Sequence, residues 1–254
     1  MPKGMTMKSS RINSLKTAFC FLTTLPFKEG HAARPSDLEK APPYFPWVGA
    51  GIGLCLFALY YLLSGRMPVC FEALGLLLFW VVITGGLHLD GLADTADGCF
   101  SSRSEDRILE IMKDSRIGTM GVLGLFFVLV FKFSALYYVC DRQLGAALLF
   151  SPVFGRFAML AVMYHLSYAR PEKGVGSLFS KKKYGYRKGL LIAGIILVYL
   201  TGIKGIILLC SGVLLGWGYR IFLKNKIRGY TGDTLGAACE LTETVTLVFW
   251  TVLF

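Results

Sequence analysis

Three aspartates follow the second long apolar stretch of this sequence at a spacing that suits metal binding. Asp90, Asp94 and Asp97 are four and three residues apart, so on a helix their carboxylates share one face. Like charges at that spacing repel each other, and no basic residue lies between them. A divalent cation would relieve this repulsion, and Mg²⁺ prefers hard oxygen ligands that it shares with substrate phosphates. The spacing favours a Mg²⁺ site over a solvated acidic turn.

Two neighbouring features of this segment also bear on ligand binding. His88 precedes the first aspartate and is a candidate for proton transfer or substrate contact. The residues between the aspartates are small, which would let a bulky ligand approach the helix: Gly91, Ala93, Ala96 and Gly98.

The same loop ends in a short charged segment. An apolar stripe at helical spacing, Ile108–Met112, predicts a helix on the membrane surface. Lys113 and Arg116 follow it and could bind phosphate oxygens, although interfacial anchoring explains them equally well. Asp114 lies between them as a second candidate for accepting a proton.

A second acidic group lies near the C-terminus. Asp233 precedes the last apolar segment, and Glu240 and Glu243 fall inside that segment on one side. Ionisable groups within a membrane span are costly, so they face a polar cavity or a partner. Arg156 and Lys132, in two other apolar segments, are the candidate partners, and a structural ion pair is the simplest interpretation.

The elements that must position these residues are membrane helices. Of 254 residues, 54% are hydrophobic and 17% are charged, and the mean hydropathy is +0.57. The seven cysteines form no CxxC pair, which argues against a disulfide framework. A crossing needs about 20 largely apolar residues. Seven segments approach that length: Pro46–Leu63, Val69–Leu89, Thr119–Val139, Gln143–Leu166, Gly189–Ile203, Gly205–Leu223 and Thr234–Phe254.

The basic residues support this count. Lys and Arg number 7, 1, 4, 1, 7, 1 and 4 in successive loops. This alternation predicts a cytoplasmic N-terminus and a protein of the cytoplasmic (inner) membrane. The net charge of +11 suits anionic lipid heads or a polyanionic substrate. No nucleic-acid recognition module is visible, so we expect no nucleic-acid partner.

We therefore expect an all-α polytopic protein with about seven transmembrane helices, forming one membrane domain over residues 1–254. The N-terminal segment, 1–45, would lie at the cytoplasmic face, with Thr17–Phe27 as an interfacial or re-entrant helix. The acidic loop, 90–118, would carry the active site. Gly189–Leu223 is either two spans or a re-entrant hairpin. A homo-oligomer is compatible with the sequence but not readable from it.

Several stretches resemble the cobalamin synthases, or adenosylcobinamide-GDP ribazoletransferases. The run Gly86–Gly98 is the specific part of this resemblance. The other matching stretches occur in family order: Phe21–Pro26, Tyr44–Pro46 with Gly49, Lys113–Gly118, and Gly232-Asp233 through Leu235-Gly236.

The resemblance implies a Mg²⁺-dependent transferase. A ribose hydroxyl of α-ribazole, or of its 5′-phosphate, would attack the cobinamide-linked phosphorus of adenosylcobinamide-GDP and expel GMP. On this hypothesis Asp90, Asp94 and Asp97 bind Mg²⁺, with Asp233 as a further ligand. Lys113 and Arg116 would hold the departing GMP phosphate, and Asp114 or His88 would receive or direct the hydroxyl proton.

Two alternatives remain open at this level. CDP-alcohol phosphotransferases also use clustered aspartates at a membrane surface, and their signature begins Asp-Gly-x-x-Ala-Arg. Here Asp90-Gly91 is followed by Leu92-Ala93-Asp94, so the spacing and the arginine of that signature are missing. A cation- or proton-coupled transporter would use Glu240, Glu243, Arg156 and the broken fifth and sixth spans as its pathway. A transporter places its acids near the bilayer midplane. Most acids here are predicted at the cytoplasmic face, which favours an enzyme.

Overall fold

The computed structural model describes residues 3–25, 35–142, 145–170, 175–179 and 187–254, with the backbone alone for residues 3–11 and 175. The described chain is almost entirely helical. The helices are α1 (Lys3–Leu22), α2 (Pro35–Leu38), α3 (Phe45–Leu63), α4 (Val69–Thr84), α5 (Leu87–Cys99), α6 (Glu105–Ile111), α7 (Thr119–Asp141), α8 (Ala146–His165), α9 (Val175–Leu178), α10 (Arg187–Thr201), α11 (Ile203–Ile227) and α12 (Gly232–Leu253).

The described helices confirm an all-α polytopic membrane protein but not the count of seven spans. Five of them are long and apolar enough to cross a membrane: α7, α8, α11, α12, and α3 together with the 3₁₀ turn that precedes it from Pro42. The pair α4 and α5 would make a sixth. The predicted span Gly189–Ile203 corresponds to α10, whose 15 residues cover only about 22 Å.

The predicted span Val69–Leu89 is not one straight helix. Helix α4 ends at Thr84, and α5 leaves it at an angle of 86°. Gly85 and Gly86 form the corner with φ of +61° and +67°. Residues with a Cβ rarely adopt two such angles in succession, so this glycine pair permits the sharp bend. The aspartates therefore lie on α5, which is nearly perpendicular to α4, and not on a straight continuation of α4.

Helices α8 and α12 form the centre of the bundle, and α3 packs closely on α8. A Cβ at Gly49 of α3 would lie 2.5 Å from the backbone oxygen of Pro152 in α8. A Cβ at Gly53 would lie 2.8 Å from the backbone oxygen of Leu149. Glycine at both positions lets the two backbones touch. By contrast, most of α11 is exposed and forms an outer surface of the bundle.

Helices α10 and α11 form an antiparallel hairpin. A Cβ at Gly194 would lie 3.0 Å from the Leu209 side chain, and one at Gly205 would lie 3.0 Å from the Cα of Val198. Gly202, with φ of +63°, makes the turn between them. Both predicted alternatives for Gly189–Leu223, two spans and a re-entrant hairpin, are compatible with this antiparallel pair of helices.

The N-terminal helix begins and ends earlier than expected. Helix α1 covers Lys3–Leu22, whereas the apolar stretch suggested Thr17–Phe27, of which residues 26 and 27 lie outside the described part. Ala18 and Leu22 are fully buried against the bundle. The chain after α1 is attached to the end of α4, because the backbone N–H of Thr24 donates to the oxygen of Ile83 at 2.9 Å.

Four charged side chains form a buried ionic network between α7, α8 and α12. Lys132 Nζ lies 2.5 Å from Glu240 Oε2 and 2.6 Å from Glu243 Oε2. Arg156 donates to the other oxygen of Glu243. All four are almost fully buried, and Lys132 also lies over the Trp80 ring. The predicted partners are confirmed, and the network is balanced with two charges of each sign.

Candidate active site

Helix α5 carries the three aspartates where the sequence predicts them, along one face of a 13-residue helix. Asp90 is exposed, and Asp94 and Asp97 are half-buried. The small residues between them have a different role from the one expected. A Cβ at Gly91 would lie 2.7 Å from the backbone oxygen of Asp233, and one at Gly98 would lie 2.8 Å from Met112. They allow neighbouring helices, rather than a ligand, to approach α5.

The carboxylate of Asp97 caps the start of α7. Its Oδ2 accepts from the backbone N–H of Gly118 at 2.7 Å, and its Oδ1 accepts from that of Gly121 at 2.8 Å. These N–H groups belong to the first turn, where no helical carbonyl can accept from them. Asp97 therefore connects α5 to α7, and both of its oxygens already have a donor.

Asp233 lies beside α5, at the start of α12. Thr231 caps this helix in a reciprocal pair with Thr234, with N–H to hydroxyl distances of 2.9 and 3.3 Å. This cap fixes the first turn, and the close approach at Gly91 brings the turn against α5. The structure thus places Asp233 with the α5 aspartates, although 136 residues separate it from Asp97.

Sequence reasoning missed Arg170, which lies at the same place. Its Nη2 donates to Asp233 Oδ2 at 2.6 Å, and the two side chains are only 16% and 23% exposed. Arg170 lies in a basic loop among several other cations, so neither its residue type nor its spacing distinguished it as a site residue. Only the fold brings it to Asp233, 63 residues further along the chain.

The other three carboxylates of the cluster act on Asp94. The pKa of Asp94 is raised to about 7, first by burial and then by the charges of Asp233, Asp90 and Asp97. Arg170 acts in the opposite direction and lowers it. A carboxyl group with so high a pKa lacks enough positive charge nearby to stabilise its ionised form.

These carboxylates suit a hard divalent cation by their chemistry. Asp90 and Asp94 accept no hydrogen bond from any described residue, so their oxygens are available as ligands. Asp97 and Asp233 each retain a lone pair beyond the donors that they already accept from. Within the described residues, no three such side chains are gathered closely enough to hold an ion as they stand. Binding would therefore draw the carboxylates together around the ion.

The charged segment after α6 lies at the surface. Arg116 donates to both oxygens of Asp114, at 3.0 and 2.7 Å, and is 86% exposed. This pairing lowers the pKa of Asp114 to about 2, which makes it a weak base. Lys113 is exposed at the end of α6. The three residues are adjacent, as expected, but each is open to solvent.

His88 occupies a different environment from the aspartates that follow it. It is 2% exposed, and neither ring nitrogen has a partner among the described residues. Its backbone packs on Gly236 of α12. Arg156 and Lys132 of the buried ionic network are the charges that act on it. The histidine is therefore buried within electrostatic range of the interior network.

These features define a polytopic α-helical membrane protein with a cluster of carboxylates and one arginine at an end of its bundle. Comparison with known proteins identifies the group to which it belongs. The chain is a member of the cobalamin-5-phosphate synthase family, whose model matches residues 14–251. The resemblance seen in the sequence motifs is thereby confirmed.

Curated relatives agree with this assignment. The chain is 39% identical over 232 residues to an adenosylcobinamide-GDP ribazoletransferase of Alkaliphilus metalliredigens, covering 90% of this chain and 91% of the relative. It is 37% identical to the enzyme of that name from Pseudomonas fluorescens, covering 91% and 96%. For the one from Acetivibrio thermocellus the identity is 36%, covering 91% and 94%. No solved structure matches the chain.

Proposed function

We propose that this protein joins α-ribazole, or its 5′-phosphate, to adenosylcobinamide-GDP and releases GMP, giving adenosylcobalamin or its 5′-phosphate. The names of the relatives support the substrates and the reaction. The observation that carries the proposal on the structural side is the meeting of Asp90, Asp94 and Asp97 of α5 with Asp233 of α12. No comparable observation on the described residues favours the two alternative functions, a CDP-alcohol phosphotransferase and a transporter.

The reaction is a substitution at phosphorus. The ribose hydroxyl oxygen forms a bond to the phosphorus attached to cobinamide, and the bond from that phosphorus to the bridging oxygen breaks. The electron pair of this bond leaves with GMP, and the hydroxyl proton passes to a base. Catalysis of such a transfer depends on positioning and on neutralising the phosphate oxygens.

We assign Asp90, Asp94, Asp97 and Asp233 to a Mg²⁺ site. A bound Mg²⁺ would supply positive charge to the pyrophosphate oxygens. Asp90 and Asp94 are the best supported ligands because no described residue donates to their oxygens. Asp97 has the additional task of fixing α7 at the site. Asp233 would approach from the opposite helix.

We propose Lys113 and Arg116 as contacts for the phosphate of the departing GMP. Their exposure at the end of α6 suits capture of a nucleotide from the aqueous phase. Asp114 orients Arg116 through two hydrogen bonds, which supports this role better than that of a base. His88 is the remaining candidate for the proton, and its burial requires that a path connect it to the ribose hydroxyl.

We further propose that the site faces the cytoplasm of a bacterial inner membrane, with the N-terminus on the same side. The alternation of basic residues supports this orientation. The water-soluble nucleotide substrates would then reach the exposed aspartates directly. The test is to replace the seven native cysteines, introduce one cysteine at Asp106, and label it in intact cells and in opened vesicles. A residue labelled only after opening lies in the cytoplasm.

The decisive experiment is turnover by the purified, detergent-solubilised protein. Adenosylcobinamide-GDP and α-ribazole are supplied with and without Mg²⁺, and cobalamin and GMP are followed together. Release of both products in equal amounts, only with the metal, supports the transferase and its cofactor. Absence of product from a folded sample with Mg²⁺ would overturn the proposal.

A further inference from the structure

The side chain of Arg170 is held between two parts of the candidate active site. Its Nη2 donates to Asp233 at 2.6 Å and lies 3.4 Å from the backbone oxygen of Met112. Met112 directly precedes Lys113, so the guanidinium lies between the acidic cluster and the charged segment after α6. Its Nε is buried and has no hydrogen-bond partner among the described residues. A buried donor without a partner costs free energy unless a ligand or water accepts from it.

The backbone around Arg170 is fixed in place. Tyr230 donates its N–H to the oxygen of Ser167 at 2.9 Å, and Ala169 donates to the oxygen of Tyr230 at 2.9 Å. A Cβ at Gly229 would lie 2.5 Å from the Ser167 oxygen, so the two segments are in contact. The segment 167–170 is thus paired with the residues that lead into α12. These backbone hydrogen bonds therefore hold Arg170 and Asp233 close to each other.

The charges of the site explain why an arginine is needed there. Four carboxylates repel a pyrophosphate, and a single divalent ion offsets only part of their charge. Arg170 already lies against this cluster, with Nη2 at 2.6 Å from Asp233 Oδ2. Arg116, by contrast, is exposed and already donates from its Nε–Nη2 edge to both oxygens of Asp114. Arg170 is better placed than Arg116 to meet phosphate oxygens beside the aspartates.

We propose that Arg170 binds the phosphate oxygens of the nucleoside-diphosphate-linked substrate, and that Asp233 orients it for this task. This inference rests on the transferase function proposed above. A guanidinium carries five N–H donors in a planar fork, so it can donate to a carboxylate and to a phosphate at the same time. Nε lies on the same edge as Nη2 and has no partner among the described residues, so it can donate to a phosphate oxygen while Nη2 remains on Asp233.

A purely structural role for Arg170, neutralising Asp233, makes a different prediction. In that case removing the cation would disturb the acidic cluster, so binding of metal ion and of nucleotide would weaken together. If Arg170 binds phosphate, its removal leaves the carboxylates in place and takes a positive charge away from them. Binding of Mg²⁺ alone then stays the same or becomes tighter, while nucleotide binding weakens.

The test uses the detergent-solubilised full chain and the variants Arg170→Gln and Arg170→Lys. Isothermal titration measures binding of Mg²⁺ alone, and then of GMP at saturating Mg²⁺. We expect Arg170→Gln to bind GMP at least tenfold more weakly, with no loss of Mg²⁺ affinity. Arg170→Lys keeps the charge but loses the planar fork, so we expect an intermediate loss. Arg107→Gln is the matched control, since Arg107 is also paired with a carboxylate, Glu110, but is exposed. It should bind both as the unaltered protein does.

The outcomes separate this inference from the proposed function. Unchanged GMP binding in Arg170→Gln, or parallel loss of Mg²⁺ and GMP binding in both Arg170 variants, overturns the role of Arg170. If the unaltered protein gives no cobalamin, but Arg170→Gln still binds GMP more weakly than the unaltered protein does, the phosphate-binding role of Arg170 is supported and the proposed transferase reaction is contradicted. If Arg170→Gln does not fold, the test rests on Arg170→Lys. Normal GMP binding by Arg170→Lys would contradict the proposal that the planar guanidinium of Arg170 binds phosphate.

Discussion

The carboxylate of Asp97, in α5, accepts a hydrogen bond of 2.8 Å from the backbone N–H of Gly121, in the first turn of α7. Its other oxygen accepts from Gly118 at 2.7 Å. A Cβ at Gly118 would lie 2.5 Å from this carboxylate, and one at Gly121 would also collide with it. The Asp97 side chain, near the end of α5, therefore caps the first turn of α7. Glycine at 118 and 121 leaves space for its carboxylate.

The first prediction concerns this cap. Asp97→Ala removes both acceptors, and loss of a cap costs about 1–2 kcal/mol in the free energy of unfolding. The thermal midpoint of the detergent-solubilised protein should fall accordingly. Asp97→Asn keeps one carbonyl oxygen, so its midpoint should lie between those of Asp97→Ala and the unaltered protein. An unchanged midpoint for the alanine variant would show that the cap contributes no stability.

Much of this arrangement follows from local patterns, because those depend on residues close in the chain. The shared face of Asp90, Asp94 and Asp97 needs only helical spacing, and α5 confirms it. The pairing of Glu240 and Glu243 with the cations of other spans follows from the cost of buried charge. The bend after Thr84 was missed because the hydropathy of Val69–Leu89 is continuous, although Gly85 and Gly86 permit the turn.

What the sequence could not supply are contacts made by tertiary packing. Asp97 has the residue type of a metal ligand, and nothing nearby in the sequence indicates that α7 begins beside it. Arg170 meets Asp233 only because segment 167–170 pairs with the residues before α12. Likewise, Gly91 was expected to admit a ligand, whereas the backbone of α12 occupies that space.

The second prediction concerns Asp94 as a metal ligand. Asp94→Ala should reduce turnover to background and weaken Mg²⁺ binding, because it removes a carboxylate to which no residue in the described part of the chain donates. Its thermal midpoint should be equal to or above that of the unaltered protein, since burial and three neighbouring charges disfavour the ionised form. Asp106→Ala, an exposed acid at the start of α6, is the control and should change neither property. Retained turnover in Asp94→Ala would remove Asp94 from the site.

The third prediction concerns the contact between α5 and α12. A Cβ added by Gly91→Ala would lie 2.7 Å from the backbone oxygen of Asp233 and 3.0 Å from its Cα, so one helix must shift. Displacement of Asp233 by a fraction of an ångström should lower kcat by about 10- to 100-fold. Gly218→Ala in α11 is the matched control, because a Cβ there meets nothing within 4 Å. The control should keep full activity and gain slightly in helix stability. Equal activity of the two variants would show that the α5–α12 distance is not critical.

The fourth prediction tests whether the buried ionic network serves structure. Lys132→Met leaves Glu240 and Glu243 with Arg156 alone, and an uncompensated buried charge costs about 3–5 kcal/mol. The yield of folded protein and its thermal midpoint should fall sharply. The double variant Lys132→Met/Glu240→Gln restores one positive charge to one negative charge, so it should recover most of the lost stability. Because the network is separate from the proposed phosphate contacts, the double variant should also retain turnover. Recovery of stability without any turnover would instead assign the network a part in catalysis, through its electrostatic effect on His88.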